Sequence, residues 1–420
     1  MKILQKFLRR FFKSKLVTGS LVVMIGAIIG GFGNYIYHLL MGRMLGPADY
    51  GILVSLISII SILGVPLAAI GLTIVKFVSA FNGKKETEAI SLFFKKVNSW
   101  VLPFSLFLFL IFLICIPLIN SFLNLSSYLP LIIVLISVII SIFSSVNNSF
   151  LHGLLRFGRL TFNGIIGIAI KLSTAVILVT IFGLKVNGAL WSLVFTGLIS
   201  LVISFWPLRF LLKSKKNNAK INNREILIFS IPVFFLTLSL TSLYNSDVIL
   251  VRHFLSGQET GFYAALSTIG KIIFFLTGPV VSVMFPMISE RHANGSKYKN
   301  LLLLSLILVG SICSLSVLFY FLFPELIVKI FYGSQYLSAA SYLGFFAILF
   351  SFYSLSSLLI NFYFSIKKTK IVILPVLAAL FQIIFICLFH QSLLSVILIS
   401  LVINALLFLG LLLYLPQCRK

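Results

Sequence analysis

Acidic residues are scarce in this chain, with eight Asp and Glu against 33 Lys and Arg in 420 residues. Its four cysteines are scattered and form no CxxC pair, so neither a disulfide framework nor a thiolate metal site is predicted. No two carboxylates are spaced as an acid and base, no HExxH or GxSxG motif occurs, and the five histidines are dispersed. The sequence therefore predicts neither a catalytic centre nor a bound cofactor, and the chain is not expected to be an enzyme.

Long apolar segments dominate what is present. Hydrophobic residues make up 60% of the chain, and Phe alone occurs 43 times, which excludes a water-soluble globular protein. A membrane-spanning helix needs about 20 mostly apolar residues. Breaks at charge clusters, Gly, Pro and Asn leave twelve candidate spans, with approximate cores at 19–41, 51–80, 98–122, 129–153, 160–182, 188–208, 227–251, 261–286, 301–323, 338–364, 371–389 and 393–415. The predicted fold class is an all-α polytopic membrane protein.

The distribution of Lys and Arg predicts how the chain crosses the membrane. A net charge of +25 would suggest nucleic acid as the partner of a soluble protein, but membrane proteins concentrate Lys and Arg in their cytoplasmic connections. With a cytoplasmic N-terminus, 27 of the 33 fall on the cytoplasmic side, four at outer connections and two inside spans. We therefore expect both termini in the cytoplasm, a lipid bilayer as partner, and no nucleic acid.

The first fifteen residues form a basic segment with apolar residues at helical spacing. Ile3, Phe7 and Phe11 recur on one side and Lys and Arg on the other, which predicts a helix over 1–15 that lies on the membrane surface. The apolar run that follows exceeds the roughly 7–15 residues of a signal peptide, and no small-residue cleavage site follows it. This run is therefore expected to remain as the first span.

A ten-residue segment recurs after 210 positions. GRMLGPADYG at Gly42–Gly51 and RHFLSGQETG at Arg252–Gly261 both lie between long apolar segments and share residue types at three positions. Two other turns recur at similar offsets, Asn82-Gly83 as Asn294-Gly295 and Arg156–Arg159 as Lys367–Lys370. Since six spans per unit preserve the orientation, the pattern predicts a parallel repeat of two six-helix lobes.

The repeat divides the chain into predicted domains. The N-terminal lobe covers 16–212, the basic sequence KSKKNNAKINNR lies in a cytoplasmic linker at 213–226, and the C-terminal lobe covers 227–420. Within GRMLGPADYG, the Gly-Pro pair predicts a tight outer turn that returns the chain to the membrane. In transporters, a repeat of this kind places the substrate site between the halves.

Several segments resemble one family. The first span leads into GRMLGPADYG, and the second ends in TIVKFVSAFNGKK; the second half contains NSDVILVRHFLSGQETGFYAAL and MFPMISE. These segments are similar to the bacterial Wzx-type polysaccharide and oligosaccharide-lipid flippases of the multidrug/oligosaccharidyl-lipid/polysaccharide (MOP) superfamily, and the resemblance covers nearly the whole chain. It implies two six-helix lobes around a cavity that opens alternately to each side of the bacterial cytoplasmic membrane.

The resemblance also implies a substrate and partners. The expected substrate is an oligosaccharide on undecaprenyl pyrophosphate, such as an O-antigen or capsule repeat unit, and expected protein partners are a glycan polymerase and chain-length machinery. Two relatives of the superfamily stay open as alternatives, a drug exporter and a lipid II flippase, although the latter usually has two further spans. A third alternative is a non-transporting membrane partner of a glycan polymerase, which the charged residues inside spans disfavour.

Four cations are candidate substrate ligands. Lys171 and Lys271 each lie about ten residues into a span, roughly 15 Å deep, where a charge normally faces a cavity or a partner. Arg43 and Arg252 lie at outer connections, where they could instead reach lipid head groups. This excess of positive charge suits a pyrophosphate and opposes a cationic drug. The alternative for the lysines is structural pairing with Asp247 or with helix carbonyls.

Three further polar residues are site candidates. Asp247 is the one carboxylate within a predicted span; it either binds a coupling proton or sodium ion or neutralises Arg252 or Lys271. Asn34 and His38 follow Gly26 and Gly30 at four-residue spacing in the first span. The glycines predict close helix packing, and the two polar residues predict either hydrogen bonds between helices or contact with the substrate.

Overall fold

The computed structural model describes residues 15–212 and 223–415. Within them, twelve helices are long and apolar enough to cross a membrane, which confirms the predicted all-α class. The α-helices are α1 Lys15–Leu63, α2 Val65–Gly83, α3 Thr87–Phe122, α4 Leu129–Gly153, α5 Phe157–Val176, α6 Lys185–Phe205, α7 Asn223–Phe254, α8 Gly257–Ala293, α9 Lys299–Leu322, α10 Pro324–Tyr332, α11 Leu343–Ser365, α12 Ile373–Leu388 and α13 Leu393–Leu413. The surface segment predicted over 1–15 lies outside the described residues apart from its last residue, as does the predicted linker up to residue 222.

The GRMLGPADYG segment contains a sharp break in α1. Gly46 has φ 74° and ψ 172°, a conformation that is essentially restricted to glycine. Pro47 follows it, in the first position of the next helical segment, where its missing N–H costs nothing. From residue 47 the chain continues with little interruption into α2, because Gly64 between the two helices has a helical conformation. The break therefore lies where the sequence predicts a turn, and its placement on the outer side stays a prediction.

Four helix ends repeat one backbone motif in the two halves of the chain. Lys85 after α2 and Gly295 after α8 have φ near 60° and lie 210 positions apart, and Leu155 after α4 and Lys367 after α11 lie 212 apart. At each of the four ends the next residue donates its N–H to a carbonyl five positions earlier, as in Glu86 to Phe81, which defines a Schellman motif. The turns that the sequence pairs across the halves therefore share their geometry.

Two compact units make up the described chain, and their bounds differ from a simple cut at the linker. The first holds residues up to Leu40, Leu63–Ser121 and Leu125–Ile231; the second holds Met41–Ile62, Phe122–Asn124 and residues from Pro232 onward. The sequence-based division assigns 41–62 to the first lobe, whereas this segment packs within the second unit. The cause is close packing between glycines, since a Cβ on Gly51 would lie 2.8 Å from the Gly261 nitrogen.

Replacing Gly261 with Ala is expected to destabilise the second unit. A Cβ at this position would overlap the Pro47 carbonyl, and overpacking of this kind typically costs about 1–3 kcal/mol. Gly278 lies on the same helix α8, where an added Cβ meets nothing within 4 Å, so Gly278→Ala should be neutral or stabilising by up to about 1 kcal/mol. Thermal unfolding of the two purified variants measures the difference. Equal melting temperatures would contradict the packing of 41–62 against α8.

The connection between the candidate spans at 301–323 and 338–364 contains structure that the sequence does not predict. Pro324–Tyr332 forms the short helix α10, and Ser334–Tyr342 continues as 3₁₀-helix into α11. On α10, Ile327 and Val328 are buried while Leu326 and Ile330 are more than half exposed. Nine residues are too few to span a bilayer, so α10 has no counterpart among the candidate spans.

Candidate functional site

Lys171 on α5 lies in a polar and aromatic cluster inside the first unit. Its Nζ donates a hydrogen bond to Asn34 Oδ1 at 2.7 Å and lies 3.8 Å from the centre of the Tyr37 ring. The side chain is buried. Asn34 and Tyr37 are three positions apart on α1, so they share one helix face. The structure thus brings together the predicted residues Lys171 and Asn34.

Tyr37 fixes the geometry of this cluster, and the sequence reasoning missed it. The ring is fully buried, and its hydroxyl donates to the Ala189 carbonyl on α6 at 2.9 Å. His38 meets the Tyr37 ring edge-on, with centroids 5.6 Å apart. The available signal is position, since Tyr37 lies three residues after Asn34, whereas the four-residue spacing from Gly26 and Gly30 leads to His38.

The charge of Lys171 is balanced by dipoles and a ring face rather than by a carboxylate. In the first unit, the acids whose side chains the structure describes are Glu86 and Glu88, and both are exposed around the start of α3. An amide oxygen and an aromatic face compensate a buried cation only in part. The cluster therefore favours an anionic ligand.

Lys271 on α8 occupies a comparable position in the second unit. It is buried, and its Nζ lies 3.9 Å from the centre of the Tyr244 ring on α7. Tyr244 belongs to an aromatic group with Phe274, Phe350 and Tyr353, whose ring centroids lie 5.6–5.9 Å from its own. Each unit therefore holds one lysine over a tyrosine ring. In contrast to Lys171, Lys271 interacts electrostatically with a carboxylate, that of Asp247.

Asp247 is fully enclosed in the second unit. Its carboxylate accepts a hydrogen bond from the Tyr263 hydroxyl at 2.7 Å and one from the Val248 N–H at 2.8 Å, and Lys271 is its cationic neighbour. Arg252 has a different electrostatic partner, Asp49. Of the two neutralisation options that the sequence left open, the electrostatic interaction favours Lys271.

Two buried amide side chains lie on α12 and α13 of the same unit. Gln382 on α12 donates from Nε2 to the Leu243 carbonyl at 3.4 Å, one helical turn before Asp247. Asn404 on α13 donates to the Ser400 carbonyl at 2.8 Å, and the Ser400 side chain interacts with Tyr263. Among the described residues, Gln382 Oε1 and Asn404 Oδ1 have no hydrogen-bond partner although both are buried. Amide oxygens and carboxylates are among the ligands that small cations take in proteins.

Arg43 caps a helix. Its Nε donates to the Phe331 carbonyl at 3.0 Å, and its Nη2 donates to the Ile330 carbonyl. Both carbonyls belong to the last turn of α10, where the backbone oxygens lack partners within the helix. A guanidinium also complements the negative end of the helix dipole. Arg43 therefore attaches the segment around the break in α1 to α10.

Arg252 makes the same kind of contact at the end of α3. Its Nε donates to the Leu123 carbonyl at 2.9 Å and its Nη2 to the Asn124 carbonyl at 3.0 Å, and the side chain is buried. Both predicted outer arginines thus already bind backbone carbonyls. The structure gives them a structural contact, and a ligand role for either one stays a prediction.

In the part of the chain that the structure describes, twelve helices are long and apolar enough to cross a membrane, which defines the chain as a polytopic membrane protein. Residues 40–341 match the family described as polysaccharide biosynthesis protein. The chain belongs to this family, and the family inferred from the sequence segments is confirmed. A comparison with curated proteins finds no match.

Solved structures show the same fold at low sequence identity. A multidrug resistance MATE transporter of the MOP superfamily, in its inward-facing conformation, has a TM-score of 0.72 at 16% identity and covers 95% of this chain and 99% of its own. The lipid II flippase MurJ, in an inward closed conformation, has a TM-score of 0.72 at 17% identity, covering 95% of this chain and 87% of its own. A MOP transporter from Pyrococcus furiosus has a TM-score of 0.63 at 19% identity, and the match covers 97% of this chain and 96% of that transporter. The chain therefore has the fold of MOP transporters and flippases.

Proposed function

We propose that this protein translocates an oligosaccharide linked to undecaprenyl pyrophosphate from the cytoplasmic to the outer leaflet of a bacterial cytoplasmic membrane. The substrate would be a repeat unit of O-antigen, capsule or a related polysaccharide. The observation that supports the proposal most directly is Lys171, a buried cation that hydrogen-bonds to Asn34 in a unit whose described carboxylates are exposed near the start of α3. A buried cation of this kind is costly unless an anion compensates it.

The two lysine clusters suit a pyrophosphate better than a cationic drug. A pyrophosphate carries at least two negative charges, and each lysine can donate charge-assisted hydrogen bonds to it. Asn34 and His38 add polar groups beside Lys171. The same lysines would repel a cationic compound, most strongly at Lys171, because the described carboxylates of its unit are exposed around the start of α3. This charge distribution favours the lipid-linked glycan over the drug-exporter alternative.

Asp247 is the proposed coupling residue. A proton or sodium ion bound at its carboxylate would neutralise it, with Gln382 and Asn404 supplying further oxygens for a metal ion. Lys271 would then lose its anionic neighbour and become free to bind the pyrophosphate. Ion binding and substrate binding would thus favour each other, as thermodynamic linkage requires of coupled sites. A glycan polymerase and chain-length machinery would receive the product on the outer side.

A lipid II flippase is the second candidate. The similarity to MurJ favours it, since MurJ is itself a flippase and this chain covers 87% of it. The two candidates share a prenyl pyrophosphate and differ in the attached sugars. Conversely, membership of the polysaccharide biosynthesis family favours a polysaccharide repeat unit.

A reconstituted flipping assay tests the function. Proteoliposomes that contain a fluorescent oligosaccharide on undecaprenyl pyrophosphate should transfer it across the bilayer at least tenfold faster than protein-free vesicles, as measured with a membrane-impermeant quencher. The same glycan on a prenyl monophosphate should move more slowly, because one phosphate contact is lost. Transport of the cationic dye ethidium without transfer of the lipid would contradict the proposal and support a drug exporter.

A further inference from the structure

A groove of about 610 Å³ lies between α9 and α11 in the second unit. Most of its walls are apolar, with Val317 and Leu355 on opposite sides and the small residues Gly310 and Ser314 along α9. Both helices belong to candidate membrane spans. The groove therefore lies at a depth where hydrocarbon chains surround the protein.

The length of the groove matches one leaflet. Its residues on α9 run from Gly310 to Phe321, which corresponds to about 16 Å at 1.5 Å per residue. Half of a typical hydrocarbon core is about 15 Å. Under the predicted topology, α9 runs from Lys299 at the cytoplasmic side to Leu322 at the outer side, so the groove occupies the outer half of the bilayer.

The groove is open space rather than tight helix packing. A Cβ added to Gly310 would meet nothing within 4 Å, although glycines at helix contacts usually allow backbones to touch. Leu318 and Phe321 at its edge are about half exposed, while Cys313 at its base is buried. An empty apolar space forfeits dispersion contacts, and the sparse polar groups here offer few of the two to four hydrogen bonds that a bound water needs. A hydrocarbon chain is the occupant that fits.

We propose that this groove binds the prenyl tail of the translocated lipid after it reaches the outer leaflet. The inference rests on the proposed function, because only a lipid-linked substrate keeps its tail in the bilayer while its head group crosses. The volume of 610 Å³ over this length gives a mean cross-section of about 38 Å². This width accommodates the methyl branches of an isoprenoid chain, which an unbranched acyl chain lacks.

Photo-crosslinking at two serines of α9 identifies the occupant. Ser314 lines the groove, whereas Ser311, one turn earlier on the same helix, does not; both are exposed. A benzophenone amino acid is placed at position 314 or 311 in cells that make the glycan, and mass spectrometry identifies the attached lipid after irradiation. We expect at least fivefold more prenyl adduct at position 314 than at position 311. Phospholipid adducts alone, or equal prenyl adducts at both positions, would overturn the proposal.

A matched pair of substitutions tests the role of the groove in transport. Ser314→Leu fills the groove and Ser311→Leu adds the same bulk outside it. We expect Ser314→Leu to slow flipping of the undecaprenyl substrate at least fivefold relative to Ser311→Leu. Affinity for a short-chain, water-soluble pyrophosphate glycan should stay the same in both variants, which separates loss of the tail site from failure of the lysine site. Equal flipping rates in the two variants would contradict the groove proposal.

Discussion

Replacing Lys171 with Met is expected to weaken binding of an undecaprenyl-pyrophosphate glycan at least tenfold without lowering thermal stability. A charge-assisted hydrogen bond to a phosphate contributes about 1.5–3 kcal/mol, and 1.4 kcal/mol corresponds to a factor of ten. Lys171 contacts Asn34 and the Tyr37 ring, so the substitution removes a buried charge without leaving a carboxylate unpaired. Met has a similar length and no charge to desolvate. Binding to purified protein and thermal unfolding measure the two effects.

Two controls separate charge from packing at this position. Lys171→Arg should retain much of the affinity because it keeps the cation. Lys171→Gln should lose as much affinity as Lys171→Met, because both remove the charge. Tyr37→Phe removes the hydrogen bond to the Ala189 carbonyl and keeps the ring under Lys171, so it should cost about 1 kcal/mol of stability and leave binding nearly unchanged. Full surface glycan display by Lys171→Met at matched expression would contradict a substrate role. A large loss of stability in the same variant would indicate a structural lysine.

Replacing Lys271 with Ala is expected to lower both stability and substrate binding. The Asp247 carboxylate is buried and Lys271 is the cation that stabilises it electrostatically, and leaving a buried charge uncompensated is destabilising, by about 3–5 kcal/mol where a close pair is broken. Asp247→Asn in the same chain removes the unpaired charge and should restore much of the stability. The double variant should still bind the substrate at least tenfold more weakly than the unchanged protein, because neither substitution restores a cation for the pyrophosphate. Thermal unfolding and substrate binding are measured on four proteins: the unchanged protein, Lys271→Ala, Asp247→Asn and the double variant.

The single variant Asp247→Asn isolates the coupling role. Transport driven by a proton or sodium gradient should slow, while affinity for the substrate should be retained or increased, because Lys271 no longer has an anionic neighbour. Normal transport by Asp247→Asn across a range of pH and sodium concentrations would show that Asp247 is structural. If the double variant regained binding as well as stability, Lys271 would be a structural partner of Asp247 and not a ligand of the substrate.

The sequence by itself determined which segments cross the membrane. A run of about 20 apolar residues has no favourable place in water, and its backbone groups are satisfied only within a helix in lipid, so composition alone predicts such spans. The sequence also predicted the position of a turn, because the conformations open to a residue depend on its own side chain. Gly46-Pro47 can form the outer turn because only glycine adopts the conformation of Gly46 at little cost. Lys171 and Lys271 were also identifiable, because a charge inside a span is rare.

Only the tertiary structure decided what those residues contact. The rings of Tyr37 and Tyr244 lie under the two lysines. The chain has fourteen tyrosines, and nothing in the local sequence distinguishes these two from the others. The sequence places Arg43 and Arg252 at predicted outer connections and indicates no partner for either. In the structure, each binds carbonyls at the end of a helix that is distant in sequence. Segment 41–62 likewise packs within the second unit, although the sequence pattern placed it in the first lobe. Hydrophobicity and turn propensity are local properties, whereas these contacts depend on which helix faces meet after the chain has folded.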